Sequence, residues 1–488
     1  MSQKSLKANA FLNTLKTVLT LFFPLITFPY SSRVLGPDNI GKVNFAQSIV
    51  SYFAILASLG ISTYATREAA KVRDNQIELN RVSTQIFLIN LMATLVSYFL
   101  LGVSMIFVRK FDDYRLLIAV CSSLIIFTTV GMGWLYQAVE DYLYITVRSL
   151  VFQVISVILL FSLVRSKEDY IWYAAVNIIS NVGANILNFI HSRKYIRFDF
   201  SYLELKKHLK PIFILFASAI AGSIFASIDT TMLGFMSGDT EAGLYSAGVK
   251  IIHMINGIFP ALIIVIFPRV SYYLANNDEE KIHLLSAKTI DCLLCFSIPL
   301  SAGLFLLMEP LVLLFCGQKF YEAVTISKIL CPYLVFSAMG HFLGSTMLVA
   351  YGKEKLQLYA MAVACVCDII LNAVFIRNYG ASGAAFATLI TQILVTIFFA
   401  IPLIELVKKL HFKRSAFQFV IAAAVMSGAV YFVRCLFENM LLQLFVSFAA
   451  GVLVYALMLF ILRNRFFLEY SGLIIRKVLH KKISNVEE

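Results

Sequence analysis

The chain has 488 residues, of which 60% are hydrophobic and only 14% charged, with a formal net charge of +13. A soluble domain carries about 45–50% apolar and roughly 25% charged residues, so this composition, with a mean hydropathy of +0.82, excludes a soluble enzyme. The uncharged runs fix the class. Val82–Val108 and Asn378–Ile404 each hold 27 residues without Asp, Glu, Lys or Arg, and Val43–Thr66, Leu116–Val139, Ile329–Gly352 and Asn439–Leu462 each hold 24. A spanning helix needs about 20 mostly apolar residues. The runs do not alternate polar and apolar positions, which excludes a β-barrel.

The sequence therefore predicts an all-α polytopic membrane protein. Fourteen spans are expected, near 10–31, 43–66, 83–108, 115–138, 146–164, 170–191, 211–236, 244–268, 287–308, 324–350, 357–376, 381–404, 416–434 and 441–462. Lys4 and Lys7 precede an apolar run too long for a signal peptide, with no small-residue cleavage site after it, so the first helix is expected to stay in place. Most of the 8 cysteines lie inside apolar runs and read as small buried hydrophobes. Cys292-x-x-Cys295 has no second pair, so neither a metal nor a cofactor is called for.

The basic excess reads as loop charge rather than as a nucleic-acid surface. With the N-terminus in the cytoplasm, inside segments hold 28 of the 41 basic residues and outside loops 10. The richest inside loops are 192–210 and 405–415. Both termini are then cytoplasmic, and Phe466–Lys482 reads as an amphipathic helix on the inner membrane surface.

Two stretches about 200 residues apart look related. Helix 1 ends as Arg33-Val-Leu-Gly36 and continues through Gly41 into helix 2. Helix 7 ends as Thr231-Met-Leu-Gly234 and continues through Gly243 into helix 8. Six helices per unit keeps the topology parallel. The expected organisation is an N-terminal lobe 1–210, a C-terminal lobe 211–404, two further helices over 405–462 and a basic tail 463–488. Two parallel lobes with a cleft suit transport by rocking.

Polar residues recur on helix faces. Asn9, Asn13 and Lys16 share a face of helix 1, and Asn44, Ser48, Ser51, Ser58 and Ser62 share one of helix 2. Ser and Thr positions suit close helix packing, whereas Asn9, Asn13 and Lys16 together point to a cavity. Charges inside spans are costly and normally face a cavity or partner. They are Lys16, Asp229, Lys250, Asp291, Lys328 and Asp368. Asp368 lies near the middle of its span with Asn372 one turn on. Lys250 has His253 on the same face, and its depth allows an ion pair with Asp229 on the preceding helix. Lys16 and Lys328 lie near enough to span ends to snorkel. Lys16, Arg33, Lys250 and Lys328 suit an anionic substrate, and pyrophosphate is the anion at hand near a membrane. Gly36-Pro-Asp-Asn-Ile-Gly41-Lys42 matches GxxxxGK, but Val43 replaces the metal-binding Ser or Thr and no strand precedes it, so a nucleotide loop is rejected.

Pro29-Tyr-Ser-Ser-Arg-Val-Leu-Gly36-Pro, Gly41-Lys-Val-Asn-Phe-Ala-Gln-Ser48, Leu59-Gly-Ile-Ser-Thr-Tyr64 and Arg67-Glu-Ala-Ala-Lys-Val-Arg73 resemble the polysaccharide transporter family, the Wzx-type flippases for O-antigen and capsule repeat units. The likeness is densest over residues 9–82 and recurs at Glu140–Ser149 and Tyr379–Ala385. It implies membership of the multidrug/oligosaccharidyl-lipid/polysaccharide exporter superfamily and a location in the bacterial cytoplasmic membrane. It implies an undecaprenyl-pyrophosphate-linked oligosaccharide as substrate, its prenyl tail left in the bilayer. The polysaccharide polymerase machinery would be the protein partner, and a proton or sodium ion would couple through Asp229, Asp291 or Asp368. Arg33 is the one basic candidate that falls on the family's run. A lipid II flippase, a cation-coupled drug exporter and a membrane-embedded polymerase or glycosyltransferase are the competing readings. The basic residues inside spans argue against cationic drugs, and the short outer loops argue against an enzyme.

The orientation is testable by fusing a reporter that is active only outside the cytoplasm to the loop at Asp112 and to the C-terminus. The expected outcome is activity at Asp112 and none at the C-terminus.

Overall fold

The computed structural model describes residues 6–264, 266–409 and 413–472, with side chains described from Phe23 onward apart from a few helix positions. The described residues are helical throughout their regular structure, without a strand. In chain order the α-helices are α1 (Leu6–Ser58), α2 (Ile61–Lys71), α3 (Gln76–Phe107), α4 (Arg115–Gly131), α5 (Gly133–Ala138), α6 (Tyr142–Leu163), α7 (Tyr170–Ile178), α8 (Asn185–Ser192), α9 (Lys206–Met236) and α10 (Asp239–Asn256). They continue as α11 (Ile258–Ile264), α12 (Phe267–Ala275), α13 (Glu279–Cys316), α14 (Ala323–Leu330), α15 (Tyr333–Gly340), α16 (Glu354–Ala400), α17 (Ile404–Lys409), α18 (Lys413–Leu436) and α19 (Met440–Ile461).

Ten helical stretches among the described residues are long and apolar enough to cross a membrane, or eleven if the bent pair Ala323–Leu330 and Tyr333–Leu348 is one span. Fourteen were expected, and part of the difference arises because two of these stretches each hold two expected spans. The 53-residue α1 and the 47-residue α16 are each far longer than the roughly 20 residues one crossing needs. Each is broken by a glycine in a left-handed conformation, Gly36 at φ 76° and Gly380 at φ 54°. Each rod thus joins two expected spans through a corner that has no loop. Other expected spans are interrupted inside. Leu59 and Gly60 break the run 43–66, Met132 breaks 115–138, and π-helical turns at Ile179–Gly183 and His341–Leu348 interrupt 170–191 and 324–350.

The described residues form two compact units. One runs to Ser246 and takes in Asn372–Ala384; the other comprises Ala247–Leu371 and the chain from Ala385. These units follow packing, whereas the lobes 1–210 and 211–404 follow the sequence repeat. In the first unit α1 is the central element, packed by α3, α4, α6 and α9. The two corners that look alike in sequence meet here. A Cβ on Gly41 would overlap the Asp239 carbonyl, a Cβ on Gly243 would overlap the Pro37 carbonyl, and a Cβ on Gly234 would overlap the Phe45 ring. Lys42 closes its own corner on Asp38 at 2.9 Å, and Asn39 donates to the Lys167 carbonyl at 2.8 Å. The GxxxxGK look-alike is therefore a helix corner.

At the other end of this unit, the basic loop after α8 is tied to α3. Gln76 donates to the Tyr195 carbonyl at 2.7 Å, Asn80 accepts from the Arg197 amide at 2.9 Å, and Gln85 donates to the Tyr202 carbonyl at 3.0 Å. That last bond leaves Gln85 Oε1 facing His208 Nε2 at 2.7 Å, with Tyr64 Oη 2.7 Å from Nδ1. The pattern suits a neutral imidazole that donates from Nε2 and accepts at Nδ1. In the second unit α13 packs against α15, α18 and α19. Arg434 pairs with Glu309 at 2.5 Å, and Tyr455 donates to the Cys295 carbonyl at 3.0 Å. The tail turns helical again from Arg465 to Gly472, and the rest of the amphipathic helix expected to Lys482 lies outside the described residues.

Gly243→Val tests the glycine corner. Backbone lies where the new side chain must go, so a loss of about 1–3 kcal/mol is expected from overpacking. It should appear as a lowered unfolding temperature of the purified protein, with Gly222→Ala, which meets nothing within 4 Å, as the unaffected control.

Candidate functional site

Sequence reading singled out polar stripes and charges inside apolar helices, and the structure sorts them into separate groups. Asn9, Asn13 and Lys16 lie on α1, but their side chains fall outside the described residues. Arg33 is exposed, one turn before the Gly36 break. Asn44 is half-buried. Ser48 is buried and belongs to a relay between α1 and α9. Ser48 donates to the Phe45 carbonyl at 2.8 Å, so it accepts from Thr231 at 2.9 Å. Thr231, with one proton to give, then accepts from Tyr52 at 2.9 Å. Ser51 and Ser227 extend this contact at 3.4 Å. Tyr52 and Ser227 were not singled out from the sequence, and Thr231 only as part of the repeat. The α9 pair lies i, i+4 on one face, which is the signal that was available.

Asp229, one of the three carboxylates considered for ion coupling, is buried in the first unit. Its Oδ1 accepts from Asn372 Nδ2 at 2.6 Å, and its Oδ2 accepts from the Tyr245 hydroxyl. Asn372 is fully buried and its own amide oxygen has no partner. Asp368 belongs to the second unit, one turn before Asn372 on the same helix. It is 1% exposed and accepts from Thr391 at 2.9 Å. The Gly380 corner makes that bond possible by folding the chain back so that residues 23 apart in sequence meet. Asp291 stands elsewhere, on α13 against α18. Ser415 approaches one of its oxygens at 3.4 Å, while the other is buried without a partner.

The second unit gathers three of the basic and aromatic candidates on neighbouring elements. Gly248 of α10 lets Ile326 and Ser327 of α14 come as near as 3.0 Å to where its Cβ would be. That close packing sets Lys250 and His253 on the helix next to Lys328. Lys328 is half-buried, with its ammonium 5.8 Å from the Phe305 ring centre. Lys250 is half-buried, and the His253 ring lies 5.9 Å from that of Tyr333. Missed altogether was Lys110. Its ammonium donates to the Gly234 carbonyl and stands 5.6 Å and 5.8 Å from the rings of Phe45 and Phe235. It thereby satisfies a carbonyl at the C-terminal end of α9. Nothing in its short turn distinguished it from a solvated charge.

Residues 6–274 match the family model described as polysaccharide biosynthesis protein. The chain belongs to that family. Residues 214–374 also match the model described as MatE. Among curated relatives, an Escherichia coli K12 protein described as "Putative O-antigen transporter" is 23% identical over 76% of this chain and 90% of its own length. A Haloferax volcanii protein described as "Probable low-salt glycan biosynthesis flippase" is 24% identical over 49% of this chain and 50% of its own. Among solved structures, the lipid II flippase MurJ in an inward closed conformation superposes with a TM-score of 0.75 at 16% identity, over 96% of this chain and 100% of that one. The chain thus has the fold of the multidrug/oligosaccharidyl-lipid/polysaccharide exporter superfamily. It is a multi-pass membrane protein whose relatives and structural neighbours are transporters and flippases, not enzymes.

The Asp229–Asn372 bond is testable by a double-mutant cycle. Asn372→Leu is expected to cost about 1–3 kcal/mol by leaving a buried carboxylate short of a donor. Asp229→Asn with Asn372→Leu should cost less than the sum of the single changes, read as unfolding temperatures in detergent.

Proposed function

We propose that the chain is a flippase that carries undecaprenyl-pyrophosphate-linked oligosaccharide repeat units across the bacterial cytoplasmic membrane for surface polysaccharide synthesis. The observation that carries this reading is the family match together with lysines inside apolar helices. Lys250 and Lys328 sit on adjacent helices in the second unit, where a cationic drug would be repelled and a pyrophosphate drawn in. The sugar is taken to pass through a polar path between the lobes 1–210 and 211–404, the prenyl chain staying in lipid, by alternating access. Lys16, Arg33, Lys250 and Lys328 are the residues assigned to pyrophosphate. Asn9, Asn13, Asn44, Ser48 and His253 are assigned to the cavity wall. Both termini are placed in the cytoplasm, and the polymerase machinery receives the flipped unit.

Ion coupling is assigned first to Asp368. It is a deeply buried carboxylate near the middle of an expected span, and it accepts from the Thr391 hydroxyl. Asp229, held between an amide and a phenol, is the second choice, and Asp291 the third.

The deciding experiment is depletion in the host, followed by mass spectrometry of lipid-linked oligosaccharides with a membrane-impermeant probe for sidedness. A complete repeat unit trapped in the inner leaflet, with loss of surface polymer, is the expected result. Normal sidedness with shortened polymer would replace the flippase by a polymerase, and unchanged lipid-linked sugars would point to drug export. In the same assay Lys250→Ala is expected to lower flux, and full transport by that variant would remove pyrophosphate from Lys250.

A further inference from the structure

The first unit carries a second polar feature outside the groups above. At the end of the helices that bears the basic loop 192–210, α6 and α8 enclose a cavity of about 500 Å³. Its polar lining is Arg148, His191, Lys194 and Asp141, with Tyr144 between them. Its other wall is apolar and opens sideways. Leu143, Val147 and Val151 follow one another at i+4 along α6 and are 50%, 51% and 49% exposed, and Leu187 of α8 is 45% exposed. That row continues along α6 as Val154 and Ile158, also exposed. In a membrane protein such a face meets lipid tails.

The polar groups are held by the protein but not saturated by it. The Tyr144 and His191 rings stack with centres 4.0 Å apart, and Tyr144 donates to the Leu187 carbonyl at 3.2 Å. Arg148 sits 5.8 Å from the Tyr144 ring centre and reaches the Ala184 carbonyl only at 3.5 Å. Among the described residues, Arg148 Nε and His191 Nδ1 are both buried with no partner. Leaving the buried Arg148 N–H unmade costs free energy that a ligand oxygen would recover. Lys194 is exposed at the rim, its ammonium 5.7 Å from the Tyr195 ring centre. The Asp141 carboxylate accepts from Tyr195 at 2.6 Å. Arg148 and Lys194 against Asp141 leave one net positive charge. Arg148 lies six residues into α6, roughly 9 Å from the helix start at 1.5 Å per residue, a depth suited to lipid phosphates.

We infer that this cavity binds the headgroup of a monoanionic phospholipid from the leaflet on the basic-loop side. Its phosphodiester would be held by Arg148, His191 and Lys194 and its chains would lie along the Leu143–Val147–Val151 row. Basic pockets between membrane helices on the cytoplasmic side take lipid headgroups by this chemistry. The single net charge matches a phosphodiester rather than a pyrophosphate. The site is separate from the substrate path proposed above and does not depend on it.

The test uses the full chain, purified in mild detergent, exposed to equal phosphatidylglycerol and phosphatidylcholine, and read by native mass spectrometry. The wild type is expected to retain phosphatidylglycerol preferentially. R148Q/K194Q is expected to retain about thirtyfold less of it, the scale for two basic charges near a membrane surface. Two milder variants guard against misfolding. Lys194→Gln alters only an exposed side chain, and Val147→Trp fills the apolar wall while keeping every charge. Both should lower phosphatidylglycerol retention without touching phosphatidylcholine. Equal retention by all variants would overturn the proposal. So would displacement of the lipid by millimolar glycerol 3-phosphate, which would make a soluble anion the ligand. Preferential retention of a polyprenyl pyrophosphate over phosphatidylglycerol would overturn the assignment to a phosphodiester.

Discussion

The carbonyl of Asp239 occupies the place where a side chain on Gly41 would begin, and the carbonyl of Pro37 does the same to Gly243. Two helix corners can approach this closely only when neither has a Cβ. Helices in a bilayer gain little from apolar attraction to one another, because lipid is as apolar as they are, so small-residue contacts supply much of their adhesion. The rest of the first unit follows from this approach. It draws α9 against the second half of α1, which brings Thr231 to Ser48 and Tyr52. The α10 segment that starts from the same corner carries Tyr245 to Asp229.

Once those helices are fixed, each polar group in hydrocarbon has to find its partner inside the protein. The described pairs are mostly neutral donors on neutral or anionic acceptors: Thr231 on Ser48, Asn372 on Asp229, Thr391 on Asp368. Such bonds hold a carboxylate without cancelling its charge. They differ from the pair of Arg434 and Glu309, which neutralises itself.

The helical class was legible because a run without charge has one low-cost fate in a bilayer, and Val82–Val108 and Asn439–Leu462 fall almost wholly within α3 and α19. The glycines at 36, 41, 234 and 243 were legible as repeat markers, though the close approach of Gly41 and Gly243 was not. Breaks inside spans at Met132 and Gly60 were illegible, since apolar composition does not reveal a change of backbone direction. Partners were hidden for another reason. Asn372 and Asp229 lie 143 residues apart, and periodicity tells which face a residue takes but not which helix it meets. Thr391 became visible beside Asp368 only after the chain turned at Gly380. Lys110 gave no signal, because its carbonyl partner on Gly234 is a backbone group with no sequence signature.

The π-helical stretch His341–Leu348 has a consequence for how this chain tolerates length change. Bonds of the i to i+5 kind accommodate surplus residue without breaking the helix. A deletion of one residue there would let the backbone return to ordinary α-helical bonding. Because the surplus residue is taken up inside the stretch, the helix C-terminal to it would keep nearly its present facing, and the change would fall on the stretch itself. The buried Phe342, Leu343, Thr346 and Met347 would no longer face the core together. In this segment, then, the number of residues is as much a part of the packing code as their identity, and a shorter, more regular helix would be the less well folded one.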